Sequence, residues 1–241
     1  EAVAVSTAAA VRICPVLIVI PVTLPARNSN ANTLLQSPAA NHFGEETMAE
    51  APHLPHPTAL ILIDLQHAID DPRWAAEGPR NNPAAEAAAA ALLGRWRKLH
   101  WPIVHVRHDS TEPNSTYRPG QPGNDFKPET APLAGETIIP KRVNSAFIGT
   151  DLDRHLRDIG ASSLVILGVS TQNSLEATVR MAGNLGYAVH LPGDACFTFA
   201  RRDLRGKLWP AEDVHALSLA NMHGEYAQVT TSAAILAALP D

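Results

Sequence analysis

Ala59-Leu60-Ile61-Leu62-Ile63 is an unbroken apolar run that stops at Asp64. A strand with one solvated face alternates polar and apolar side chains. A run with no polar position reads instead as a strand buried on both faces, as in the interior of a parallel sheet. Leu164-Val165-Ile166-Leu167, ending at Gly168, repeats the pattern. Parallel neighbours need long crossover connections, usually helical, and the sequence supplies them. Pro83 to His100 is Ala-rich, with Leu92, Leu93, Trp96 and Leu99 at helical spacing. Ile103 to Arg107 reads as the second strand, and Glu136 to Pro140 as a short strand reaching Lys141. Asp151 to Ile159 follows as a helix stopped by Gly160, and Gln172 to Leu185 as a helix ended by Gly186. Tyr187 to Leu191 and Tyr226 to Thr230 read as strands flanking a helix from Ala211 to His223. The alternation predicts an α/β domain of three α/β/α layers, Rossmann-like, with a parallel sheet of about six strands and right-handed crossovers.

The domain is expected to span residues 51–241, with residues 1–50 as a leader or disordered extension. Val16 to Ile20 is apolar, but Pro15, Pro21 and Pro25 interrupt its surroundings. A membrane span needs roughly 20 apolar residues in sequence, so no membrane partner is expected. Its length is nearer that of a secretory signal core, and a targeting or anchoring segment stays open as the alternative. Asn28 to Asn41 reads as linker, and Met48 stands just ahead of the first globular pattern. The net charge of -5 is mild and the cations are scattered, which gives no reason to expect nucleic acid. Two cysteines, Cys14 and Cys196, cannot form a disulfide framework, so a reducing, cytoplasmic setting is expected.

In an open parallel sheet, ligands bind beyond the carboxyl ends of the strands. Asp64, Lys141 and the Gly168–Ser174 turn all fall at such ends. A carboxylate and an ammonium converging on a strand-to-helix turn can serve a nucleophile, a base and an anion stabiliser. On spacing alone, a salt bridge beside a helix cap explains the same residues.

Longer motifs add information. Leu62-Ile63-Asp64-Leu65-Gln66 resembles the D-x-Q opening of the isochorismatase-like (cysteine hydrolase) family. Lys141-Arg142-Val143-Asn144-Ser145-Ala146-Phe147, followed by Gly149-Thr150-Asp151-Leu152, is similar to that family's lysine segment. Gly168-Val169-Ser170-Thr171-Gln172-Asn173-Ser174-Leu175-Glu176-Ala177-Thr178 resembles its G-V-x-T-x-x-C-V-x-x-T nucleophile turn. Asn184 to Tyr187 and Asp194 to Cys196 continue the likeness, which covers roughly Thr58 to Ile235.

The resemblance implies a hydrolase acting on a small molecule, with Asp64 as general base and Lys141 stabilising charge. It also implies a cis peptide between Val169 and Ser170 that aims the N–H groups of Ser170 and Ser174 at an oxyanion. The family's nucleophile is a cysteine, and this chain carries Ser174 in its place. A thiolate is accessible near neutral pH at a helix start, whereas a hydroxyl needs a well-aligned base during attack. The serine is read as natural, because Ser suits a helix start; an engineered replacement and a lineage without catalysis are the alternatives. Family members that cleave vinyl ethers also lack the cysteine, and there the aspartate protonates the enol-ether carbon. The expected reaction is therefore hydrolysis of a C–N (amide-type) or vinyl-ether bond at Asp64, Lys141 and Ser174. The rival is a non-catalytic relative that binds a metabolite or partner in the same pocket. The family is usually oligomeric, so a homo-oligomer, dimer or tetramer, is expected.

Substrate contacts are assigned to Gln66 and Trp74 after the first strand, Arg107 and His108 at the end of the second, and Asn144 in the lysine segment. For Trp74 the alternative is loop packing, and for Arg107 and His108 a structural hydrogen-bonded pair. Asp109-Ser110-Thr111 has no following histidine of the kind a D-x-H metal site needs, so no metal is expected. His53, His56 and His67 read as solvated. Cys196 reads as a buried small hydrophobe, with a surrogate nucleophile as the lesser alternative. Phe197 and Phe199 are assigned to the core or a subunit interface. No Gly-rich phosphate loop is present, and no cofactor is expected. Residues 109–135 hold eight Gly or Pro and read as a long functional loop.

Overall fold

The computed structural model describes residues 52–240. The expectations about residues 1–50 and Cys14 lie outside the described residues. Nine strands are present among the described residues: β1 (Thr58–Ile63), β2 (Ile103–His108), β3 (Thr137–Lys141), β4 (Ser163–Val169), β5 (Ala188–Pro192), β6 (Cys196–Phe197), β7 (Arg201–Arg202), β8 (Leu208–Trp209) and β9 (Gln228–Thr230). Five α-helices accompany them: α1 (Ala85–Leu99), α2 (Leu152–Asp158), α3 (Glu176–Asn184), α4 (Ala211–Met222) and α5 (Ser232–Ala238).

Seven strands build one parallel sheet, in the order β3-β2-β1-β4-β5-β9 with β6 beside β4. The sheet has one strand more than the sequence suggested. The extra strand, β6, is two residues long, and two residues cannot show a periodicity. The antiparallel pair β7–β8 and the helix α5 also escaped the sequence reading. The helix expected from Gln172 begins instead with a π-helical turn over Thr171–Leu175 and becomes α-helical at Glu176.

The chain runs outward from β1 through β2 to β3, then returns to lay β4 on the other side of β1. This reversal leaves a crevice beyond the carboxyl ends of β1 and β4, the switch point where ligands bind in such sheets. β1 is buried along its whole length and pairs with β4 from Thr58↔Ser163 to Ile63↔Gly168. Gly168 is required there: with φ +125, a Cβ would meet the Ile63 carbonyl oxygen at 2.2 Å.

On one face, α1 buries Ala85, Ala89, Leu92, Leu93 and Trp96 at intervals of three and four, the spacing of one helical stripe. Each fully buried leucine on that stripe contributes roughly 1.5–3 kcal/mol. The Trp96 indole donates to the Thr58 carbonyl at 2.9 Å, pinning the helix to the start of β1. Helix α1 stops at His100, whose left-handed φ of 54 closes its end.

Candidate active site

Four strand ends carry the site. Asp64 directly follows β1 with φ 54, a left-handed turn that redirects the chain out of the sheet. β2 ends at His108 and β3 at Lys141, and these two residues are register partners. β4 ends at Val169, and the peptide from Val169 to Ser170 is cis. The π-helical turn then places Ser174, which is buried, as are Asp64 and Lys141.

Lys141 is the hub. Its Nζ donates to Asp64 Oδ2 at 2.7 Å and to Ser174 Oγ at 3.2 Å, and lies 3.3 Å from His108 Nδ1. Burial, then the Lys141 charge, holds the His108 imidazole below its ordinary range, so it stands neutral as an acceptor for Nζ. The other carboxylate oxygen, Asp64 Oδ1, is buried and has no hydrogen-bond partner among the described residues. Buried polar atoms are normally satisfied, so an orphan acceptor in a cavity wall is an opening for a donor from outside the protein.

The cavity has a volume of about 110 Å³ and is bordered by Asp64, Trp74, His108, Tyr117, Asn144 and Ser174, among others. Ile69, Ser115, Val169, Ser170 and Asn173 complete its wall. Of the residues expected from sequence, the structure brings Asp64, Trp74, His108, Asn144, Val169, Ser170 and Ser174 to this wall, with Lys141 beneath it.

Gln66 and Arg107, expected as substrate contacts, are not among the residues that border it. The Gln66 side chain is fully buried; its Oε1 accepts from the His108 N–H at 2.7 Å and its Nε2 donates to the Asn124 carbonyl at 2.8 Å. Gln66 therefore clamps the long loop to β2. Arg107 points away from His108 by strand alternation and forms a two-pronged ion pair with Asp109 at 2.8 and 3.0 Å.

Tyr117, Ser115, Ile69 and Asn173 were not expected. Tyr117 and Ser115 arrive from the long loop, where no periodicity marks an inward face. The loop is held by Asn124, whose Nδ2 donates to the carbonyls of Tyr117 at 2.8 Å and His108 at 3.0 Å. Tyr117 packs edge-on against both His108 and Trp74. Burial, then the charges of Asp64 and Asp70, pushes its phenol well above the ordinary tyrosine range, so it is a neutral donor at physiological pH. The only sequence hint was an aromatic residue isolated within a polar, Gly- and Pro-rich stretch.

Cys196 lies in the core with its thiol pushed up to about 12 by burial, the character of an inert hydrophobe. Phe197 is fully buried under the Arg80 guanidinium, and Phe199 stacks on Trp74. Among the described residues, no group of three or more His, Cys, Asp or Glu side chains is placed to hold a metal ion. No helix among them is long and apolar enough to cross a membrane.

Comparison with known proteins agrees with this architecture. The isochorismatase domain family matches residues 58–234. The chain is 38% identical over 174 residues to the isochorismatase family protein YrdC of Bacillus subtilis, covering 72% of this chain and 91% of that one. It is 26% identical over 210 residues to the ureidoacrylate amidohydrolase RutB of Variovorax paradoxus, covering 71% of this chain and 83% of that one. A crystal structure of an isochorismatase family protein from Chromobacterium violaceum is 60% identical and superposes with a TM-score of 0.72, over 75% of this chain and 92% of that one. The sheet order, the crevice at its switch point and these matches lead to one conclusion: the chain belongs to the isochorismatase family and is an isochorismatase-like hydrolase.

Proposed function

We propose that the protein hydrolyses an amide-type C–N bond of a small molecule, with Ser174 as nucleophile, Asp64 as base and Lys141 as the charge that supports both. The carrying observation is that one buried ammonium touches both Asp64 and Ser174, while Asp64 Oδ1, in a residue that borders the cavity, has no hydrogen-bond partner among the described residues. The relative named as an amidohydrolase supports the same bond type. A serine hydroxyl is a weak nucleophile at neutral pH, and a carboxylate alone activates it poorly. The Lys141 charge at 3.2 Å lowers the energy of the alkoxide character that develops as Oγ attacks.

In the reaction, Ser174 Oγ bonds to the carbonyl carbon and its proton passes to Asp64. The carbonyl oxygen becomes an oxyanion beside the N–H groups of the Ser170–Ser174 turn. Collapse breaks the C–N bond, and the nitrogen leaves with the proton from Asp64. Water, activated by Asp64, then cleaves the acyl-serine and restores the hydroxyl.

The serine itself favours a second reading, vinyl-ether cleavage, in which Asp64 protonates the enol-ether carbon and water completes hydrolysis without a covalent intermediate. A hydrolysis screen of small amides and vinyl ethers with Asp64→Asn, Ser174→Ala and Ser174→Cys separates the two. Loss of amide turnover in both Asp64→Asn and Ser174→Ala, with retention or gain in Ser174→Cys, supports the covalent route. An activity that needs Asp64 and survives Ser174→Ala supports the second. Ligand binding without turnover in any of these proteins supports a non-catalytic relative and ends the proposal.

A further inference from the structure

We infer that the substrate carries an anionic group, a carboxylate or its equivalent, bound by Arg201 in a groove outside the reacting cavity. This inference rests on the hydrolase reading above and adds the substrate class to it. The inner cavity is small, about 110 Å³. Anything larger than the scissile group must project outward. A groove of about 580 Å³ receives it, sharing Trp74 and Ser115 as walls with the inner cavity.

Three arginines line this groove, and two are already neutralised. Arg73 is held by both carboxylate oxygens of Asp71 at 2.8 and 3.0 Å. Arg202 pairs with Glu77 at 2.5 Å. Arg201 is exposed and has no carboxylate partner among the described residues. When the Gln172 amide is oriented to satisfy its neighbours, its oxygen accepts from Arg201 Nε and Nη2 at 3.2 Å each. A neutral amide leaves the guanidinium charge uncompensated. It also ties Arg201 to the turn that carries Ser174, because Gln172 belongs to that turn. A guanidinium with one edge held by an amide and the rest open to a groove is suited to a carboxylate. Glu112 also lines the groove, likewise without an ion pair among the described residues, and serves as the control position.

Calorimetric binding of succinamate, an amide with a carboxylate tail, is compared with neutral succinamide on the full chain carrying Ser174→Ala to prevent turnover. Succinamate is expected to bind about ten-fold or more tightly, the scale of a hydrogen bond to a charged group. Arg201→Gln is expected to erase that preference, Arg201→Lys to keep part of it, and Glu112→Gln to leave it intact. Equal binding of the two compounds, no binding of either, a preference that survives Arg201→Gln, or one abolished by Glu112→Gln overturns the inference. An Arg201-dependent preference in a protein whose native form turns over neither compound keeps the anion site and counts against the hydrolase reading. Turnover of both with no preference does the opposite.

Discussion

His108 Nδ1 and Lys141 Nζ stand 3.3 Å apart because β2 and β3 pair these two residues directly in register. The contact requires a neutral imidazole, and burial followed by the Lys141 charge depresses the His108 pKa; the charges of Asp64 and Asp109 oppose this more weakly. His105, His190 and His215 are also held below the ordinary range, burial being the largest cause in each.

The sign for stability follows from these depressed values. The unfolded chain takes up protons at histidine near pH 6.5, whereas the folded chain does not until lower pH. Their contribution is complete above about pH 6.5 and is lost as pH falls through that value toward the depressed folded ones. The urea midpoint is therefore expected to drop between pH 7 and pH 5, and His108→Gln to lessen the drop. A midpoint that is flat across this window contradicts neutral burial of the histidines.

Breaking the buried pair on one side strands a charge. Lys141→Met leaves the Asp64 carboxylate without its cation, and Asp64→Asn leaves the ammonium without its anion. Each is expected to cost about 3–5 kcal/mol. The double variant Asp64→Asn/Lys141→Met is expected to recover much of that stability and none of the activity. Urea unfolding of the four proteins measures the coupling; additive losses would show that the two groups act independently.

Gly168→Ala tests the close approach of β1 and β4. The new methyl has no space against the Ile63 backbone, and the φ of +125 is one an L side chain rarely adopts. Destabilisation of about 3 kcal/mol or more is expected, from backbone strain and steric conflict together. A variant with an unchanged urea midpoint removes this account of the switch point.

Gln66→Leu tests the clamp between the long loop and β2. It leaves buried backbone groups of His108 and Asn124 with fewer partners, at roughly 1–3 kcal/mol for each group left unsatisfied. Faster hydrogen exchange at the His108 amide is expected, together with a higher KM because Tyr117 and Ser115 lose their anchorage. Unaltered exchange with a raised KM would return Gln66 to direct substrate contact.

The sequence by itself determined the alternation of strands and helices, the parallel sheet, and the strand ends at Asp64, Lys141 and Gly168. These follow from local pattern: apolar runs buried on both faces, helical spacing, and glycine or polar residues at the stops. The family motifs marked Ser174 in the same way, by linear spacing. Tertiary structure alone decided which side chains share a cavity. Gln66 is itself a motif residue and Arg107 adjoins His108, yet they face the loop and Asp109, because side-chain direction depends on pleat and packing. Tyr117 and Ser115 reach the cavity from a loop with no period, held by hydrogen bonds from Asn124 and Gln66. The contact of Lys141 with Asp64 joins residues 77 positions apart, and only the order in which strands pair in the sheet brings such residues together.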